Sequence, residues 1–80
     1  MTTAELTKPQ RRYLAAIIKA GTKQYNGRAR KPLEVLEAAG LVEYDYDLIP
    51  HVKGNGIQYT ESFTVRATSA GRWEAARLGL

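Results

Sequence analysis

Basic side chains are concentrated in the first half of the sequence, where they could bind a polyanion. The segment 8–31 has no aspartate or glutamate but contains eight basic residues: Lys8, Arg11, Arg12, Lys19, Lys23, Arg28, Arg30 and Lys31. If the fold keeps this segment on one surface, that surface attracts phosphate groups, as nucleic-acid-binding proteins do. The alternative is an ordinary solvated surface.

The charge reverses in the next segment, 34–47, which has no lysine or arginine. Its acidic residues are Glu34, Glu37, Glu43, Asp45 and Asp47. The last three alternate along a predicted strand and therefore share one face. This face is either a solvated surface that protects a sheet edge or a protein-binding surface, complementary to the basic surface of a second copy.

Residues that could carry out catalysis are scarce. His51 is the only histidine and lies in a turn next to Pro50, with no Ser-His-Asp arrangement in view, and the absence of cysteine excludes a thiolate metal site. Gly54 and Gly56 bracket a hairpin turn rather than a strand-to-helix phosphate loop. The sequence therefore predicts a protein that is not an enzyme and that holds neither a cofactor nor a metal ion.

Length and composition indicate one small domain, residues 1–80, with a net charge of +4. A chain of this size buries only about 60–65 % of its unfolded surface, so a partner in a homodimer would add stability. No apolar run approaches the roughly 20 residues of a membrane-spanning helix, and residues 1–6 do not resemble a signal peptide. We expect a soluble, cytoplasmic domain without a membrane partner.

The first helix is predicted from its cap and its apolar stripe. Thr7 is the expected N-cap, and Pro9 falls in the first turn, where its missing N–H costs little. Leu14, Ile17 and Ile18 follow a helical period, and Gly21 ends the helix. The opposite side of this helix is cationic: Lys8, Arg11, Arg12 and Lys19. Residues 22–25 form a short strand or an irregular link.

The second helix is shorter, because Pro32 disfavours helical geometry at the residue before it. It starts near Lys31 or Pro32, or one turn earlier at residues 28–30. Gly40 suits the left-handed position after the last turn, and Leu41 can fold back onto that turn, as in a Schellman motif.

A β-hairpin follows, with polar and apolar residues alternating on both strands. The turn at Gly54-Asn55-Gly56 places even positions of the first strand opposite odd positions of the second, so that the apolar sets share a face. Pro50 is expected to bend the first strand or free it from pairing before the tip.

The last helix is expected to begin after Thr68 or Ser69. Trp73 recurs with Ala76 and Leu80 at helical spacing and is predicted to anchor this helix to the body. The tyrosines are spaced as core and sheet residues: Tyr13, Tyr25, Tyr44, Tyr46 and Tyr59.

The order helix, link, helix, hairpin, helix resembles that of winged helix-turn-helix domains. Three strings are similar to the first helix, to the passage from the recognition helix into the hairpin, and to the start of the last helix: LTKPQRRYLAAI, PLEVLEAAGLVEY and FTVRATSAGRWEAARL. The resemblance implies an α+β fold, namely a compact winged helix of the type found in small phage and actinobacterial proteins. Residues 21–30 leave no room for a full middle helix, so this helix is truncated or missing.

In winged-helix domains the N-terminal residues of the recognition helix meet base edges in the major groove. The resemblance assigns this role to Arg28, Arg30 and Lys31, with Lys23 and Gln24 just upstream. Arginine is the side chain best suited to guanine edges and to bidentate phosphate contacts.

Two further groups gain a possible role from the resemblance. The hairpin, or wing, commonly lies on the DNA backbone or in the minor groove, which gives Lys53 and Asn55 a role at its tip. Arg11 and Arg12 could clamp a flanking phosphate. The alternatives are a plain hairpin turn and a solubilising helix face.

The function implied is that of a DNA-binding protein, either a small transcriptional regulator or a phage-type DNA-binding factor, with duplex DNA as partner. The alternative is a protein–protein interaction module on the same fold, for example a phage-encoded modifier of a host protein.

Overall fold

The computed structural model describes residues 6–80, which form three α-helices and a three-stranded antiparallel sheet. In chain order these are α1 (Lys8–Ala20), β1 (Thr22–Asn26), a 3₁₀ turn (Gly27–Ala29), α2 (Arg30–Ala38), β2 (Val42–Lys53), β3 (Gly56–Ala67) and α3 (Ser69–Leu78). The strand order is β1-β3-β2, so that β3 is central. The predicted α+β class is therefore confirmed.

The first helix forms as its sequence predicts. The Thr7 side chain accepts a hydrogen bond from the Gln10 backbone N–H, and the Gln10 side chain accepts one from the Thr7 backbone, which completes a capping box. Leu14 and Ile17 are fully buried. Gly21 takes a positive φ of 79°, and its N–H donates to the Ile17 carbonyl.

The segment between the first two helices contains both a strand and a tight turn. Residues 22–26 pair with β3, so the strand interpretation is confirmed. The Asn26 side chain accepts a hydrogen bond from the Arg28 N–H at 2.9 Å and begins the 3₁₀ turn. The second helix then starts at Arg30, one or two residues earlier than Lys31 or Pro32. Pro32 lies in its first turn, where its N–H would have no helical partner.

The predicted Schellman motif ends α2. The Leu41 N–H donates to the Leu36 carbonyl at 3.0 Å, and the Gly40 N–H donates to the Glu37 carbonyl at 2.8 Å. Gly40 has a φ of 76°, which favours glycine. Leu41 is 5 % exposed, so the motif fixes it in the core.

The hairpin has the predicted register over its whole length, from Val42 opposite Ala67 to Lys53 opposite Gly56. Gly54, the first residue of the turn, has a φ of 62°, and Asn55, the second, does not have a positive φ. This is the pattern of a type II′ turn, which places glycine first.

The prediction for Pro50 was wrong, because β2 continues through it and Pro50 pairs with Tyr59. In an antiparallel hairpin, hydrogen-bonded pairs alternate with non-hydrogen-bonded pairs, beginning here with the hydrogen-bonded pair Lys53–Gly56 at the turn. Pro50 and Tyr59 therefore form a non-hydrogen-bonded pair. The Pro50 nitrogen therefore faces the free edge of β2, where no ladder hydrogen bond is lost.

The prediction that Trp73 anchors α3 was also wrong, since Trp73 is 73 % exposed. The helix instead packs through small residues, Gly71 and Ala75, which are buried. A Cβ atom at Gly71 would lie 1.8 Å from the Leu41 carbonyl oxygen. The backbone of α3 thus approaches the α2–β2 connection too closely for any side chain at this position, and the face carrying Trp73 points away from the body.

Thr68 joins α3 to the same connection. Its hydroxyl accepts from the Gly71 N–H at 3.0 Å and donates to the Gly40 carbonyl. We expect Thr68→Ala to lower the free energy of unfolding by about 1–2 kcal/mol, because it removes a cap and a second hydrogen bond together. Thr68→Ser keeps the hydroxyl and should retain most of the stability in urea denaturation. Equal losses in the two variants would contradict this role of the hydroxyl.

The core lies between the helices and one face of the sheet. Its buried residues come from all three helices, β2, β3, the 3₁₀ turn and the α2–β2 connection: Leu14, Ile17, Ala29, Leu33, Leu36, Leu41, Val42, Phe63, Val65 and Ala75. Burial along the sheet stops at Phe63. Beyond this point residues 48–53 and 56–61 form a two-stranded projection, here called the arm, which is about 20 Å long. Within residues 6–80, no helix has the length and apolar character needed to cross a membrane.

Candidate nucleic-acid interface

The ion pairs of the described residues involve three arginines: Arg30, Arg66 and Arg77. The other basic residues of the segment 8–31 have no carboxylate partner within residues 6–80: Lys8, Arg11, Arg12, Lys19, Lys23, Arg28 and Lys31. Their charges are therefore not neutralised by the part of the chain that the structure describes.

The two adjacent arginines of α1 do not point in the same direction. Lys8, Arg12 and Lys19 are exposed on the side opposite the buried Leu14, in agreement with the predicted cationic face. Arg11 lies about 100° around the helix from Arg12 and is partly buried, and its Nε is enclosed without a hydrogen-bond partner among the described residues. Of the two arginines of the predicted phosphate clamp, Arg12 is therefore the exposed one and Arg11 the partly buried one.

Lys23 and Gln24 of β1 also lie on opposite faces of the sheet, because neighbouring strand residues alternate. The Lys23 Nζ lies 5.3 Å from the centre of the Tyr25 ring, on the face that carries the helices. The Tyr25 ring lies 5.2 Å from that of Tyr13 on α1, and burial raises the pKa of the Tyr25 hydroxyl. Of these two residues, only Lys23 therefore lies on the side of α1.

The contact between Tyr13 and Tyr25 also relates the two basic segments. Arg12 directly precedes Tyr13, and Arg28 follows Tyr25 by three residues. This contact joins α1 to β1, and β1 leads directly into the 3₁₀ turn that carries Arg28. Arg12 itself lies about 100° around α1 from Tyr13, so it points away from this contact.

Among the three cations at the start of α2, Arg30 differs from its neighbours. Its Nε donates to Glu34 at 3.2 Å and its Nη1 to Glu61 on β3 at 3.5 Å. These bonds raise the pKa of the guanidinium. Gly27 lies against the Glu61 side chain, where an added Cβ would be 3.4 Å from it. Arg30 thus ties the 3₁₀ turn and α2 to the base of the arm.

Arg28 and Lys31 are exposed and have no ion-pair partner within residues 6–80. They flank Arg30 at the N-terminal end of α2, where backbone N–H groups and the helix dipole also attract anions. Of the three cations predicted at the start of α2, these two are the ones without an ion-pair partner among the described residues.

The structure separates the hairpin tip from this end of α2. Lys53 and Asn55 are exposed at the turn, and Glu61 lies at the base of the arm beside Arg30. The five residue-to-residue steps from Gly56 to Glu61 span about 17 Å. The hairpin tip and the N-terminal end of α2 would therefore contact a ligand at two separate points.

The acidic strand face is largely neutralised within the molecule. Arg66 on β3 donates to Glu43 at 2.9 Å and to Asp45 at 3.4 Å, and the bond to Glu43 is the main cause of its raised pKa. Asp47 has no ion-pair partner among the described residues. The predicted protein-binding face thus consists of one unpaired carboxylate beside an ion-pair cluster.

Glu61 and Arg66 were not identified from the sequence. Glu61 interrupts the apolar alternation of β3 between Tyr59 and Phe63, and this interruption was the signal that could have revealed it. A charge at a core-facing position requires a partner, and Arg30 is that partner.

Comparisons of the chain with family models, curated proteins and solved structures gave no match.

Proposed function

We propose that the protein is a compact winged-helix domain that binds duplex DNA and acts as a small transcriptional regulator or a phage-type DNA-binding factor. The observation that carries the proposal is the set of exposed cations on α1 and at the start of α2 that have no ion-pair partner within residues 6–80. We call it the basic surface: Lys8, Arg12, Lys19, Arg28 and Lys31. Most acidic residues of the described chain are engaged by arginines, so they do not offset this surface.

In this proposal α2 is the recognition helix and the 3₁₀ turn stands in place of the middle helix. The acidic residues of α2 do not oppose DNA binding there. Glu34 is paired with Arg30. Glu37 lies close to the Tyr44 hydroxyl, whose pKa is raised by burial and then by this carboxylate. Both side chains are therefore directed to partners within the protein.

The arm would act as the wing, with Lys53 and Asn55 at its tip. Its length allows the tip to reach a phosphate or a minor-groove edge beside the one contacted by α2. The helix end and α1 would supply most of the affinity, because they carry most of the charge.

A charge reversal tests the proposal. We expect Arg28→Glu to lower the affinity for a labelled duplex about tenfold or more at low salt, and to reduce the slope of log K against log salt by about 1. Fluorescence anisotropy over a salt series measures both quantities.

Arg72→Glu is the matched control, because Arg72 is an exposed arginine on α3, outside the basic surface, and the substitution changes the net charge equally. Equal weakening by both variants would show that only net charge matters. A wild-type protein that binds no duplex at low ionic strength would overturn the proposal. Single-stranded DNA and RNA in the same assay identify the preferred nucleic acid.

A further inference from the structure

The arm carries an apolar face that no part of residues 6–80 covers. The alternation that builds the core continues past the last helix contact for three more cross-strand pairs. The apolar residues on the helix side of the arm are Leu48, Pro50, Val52, Ile57 and Tyr59, and Tyr46 continues the same face at the base of the arm. Val52 is 81 % exposed, Ile57 61 %, Tyr59 60 % and Leu48 53 %.

This face is large for an isolated chain. Its side chains together expose roughly 600 Å², the upper end of what a monomer shows as one patch. Among residues 6–80, no third strand and no helix packs against the arm, and a lone two-stranded hairpin is marginally stable in water. Another surface that covered this face would therefore stabilise the arm.

The chemistry of the face restricts what can cover it. Glu61 is the one charged residue on this side of the arm, and it is engaged by Arg30. The face offers no cation for phosphate and no free carboxylate for a basic partner. Its partner must therefore be flat, apolar and uncharged.

Addition of a strand to the edge of β2 does not meet this need. The Pro50 nitrogen faces that edge and has no hydrogen to donate, so a pairing strand would lack a bond at the middle of the arm. The other edge of the arm, residues 56–61 of β3, is also unpaired among the described residues. A strand added at either edge would leave the apolar face uncovered, so the partner must pack on the face.

We propose that the partner is the same face of a second copy, with the two arms packed face to face and antiparallel about a two-fold axis. A two-fold axis through the level of Pro50 and Tyr59 brings Leu48 of each arm to the level of Val52 of the other. The pair would bury about 1,200 Å², the lower limit for a specific interface. The face also has the composition of interface cores, with tyrosine and few charges. This inference does not rest on DNA binding.

The association state of the whole chain without DNA tests this inference. We expect sedimentation equilibrium to show a reversible dimer with a dissociation constant on the order of micromolar, as suits an interface of this size. Val52→Lys should weaken the dimer at least tenfold. Gln58→Lys, which adds the same charge one residue from Ile57 but on the opposite face, should leave it unchanged.

Both substitutions lie at exposed positions and should leave the fold intact, which circular dichroism verifies. A wild-type monomer at all concentrations overturns the inference. So does a dimer that survives Val52→Lys, or one that Gln58→Lys disrupts equally. DNA affinity is measured separately, so loss of either property leaves the other standing.

The packing geometry has its own test, because the chain contains no cysteine. A short bismaleimide should join two copies carrying Tyr59→Cys, since this residue lies near the two-fold axis. It should not join copies carrying Gln58→Cys. Linkage of the second variant alone would contradict the proposed face.

Discussion

Replacing Gly71 by alanine should lower the free energy of unfolding by about 3 kcal/mol or more, which is a large part of the stability of an 80-residue domain. The new Cβ would lie 1.8 Å from the Leu41 oxygen and 2.8 Å from its carbonyl carbon. Leu41 cannot move aside, because its N–H bonds to Leu36 and its carbonyl accepts from the Thr68 N–H at 3.1 Å. Accommodating the methyl group therefore requires α3 to leave the body.

The sign of this effect distinguishes close packing from helix propensity. Glycine-to-alanine exchange in a helix is stabilising by about 1 kcal/mol when nothing touches the new methyl group. The reverse exchange at an exposed position of the same helix, Ala76→Gly, should cost about 1 kcal/mol. Urea denaturation of both variants measures the difference. A Gly71→Ala protein as stable as the wild type would show that α3 does not pack through this glycine.

Phe63→Ala should cost about 3–5 kcal/mol and leave the domain close to unfolded at room temperature. Phe63 is 2 % exposed. The centre of its ring lies 5.1 Å from the ring centres of both Tyr44 and Tyr46. The substitution removes these aromatic contacts and leaves a cavity under the sheet at the last position that the helices cover.

Tyr59→Ala is the matched control for this prediction. Tyr59 lies on the same strand and the same face, four residues closer to the tip, and is 60 % exposed. At protein concentrations low enough to keep copies apart, its loss should cost under about 1 kcal/mol. Thermal unfolding followed by circular dichroism compares the two. Similar losses would mean that the core extends into the arm.

Features set by neighbouring residues could be predicted from the sequence. The Thr7 cap, the Schellman motif at Gly40 and the hairpin register all depend on residues a few positions apart or on strict alternation. The sequence also predicted the cationic face of α1, because helix geometry fixes which side a residue occupies.

Features set by distant contacts could not be predicted. The packing of α3 depends on the close approach of Gly71 to Leu41, and hydrophobicity instead pointed to Trp73 as the anchor. The pairing of Arg30 with Glu61 joins residues 31 positions apart. From the sequence, Arg28, Arg30 and Lys31 are equivalent candidates for binding, whereas within residues 6–80 only Arg28 and Lys31 lack an ion-pair partner.

Pro50 has a consequence for aggregation. Cross-β fibrils grow when each chain offers an unbroken row of backbone donors and acceptors to the next one. The hairpin is rich in β-branched and aromatic residues, so by composition it is the segment most prone to such growth. The missing amide hydrogen at Pro50 interrupts the row halfway along the arm. We therefore expect partly unfolded chains that keep this hairpin to cluster without seeding fibrils through β2.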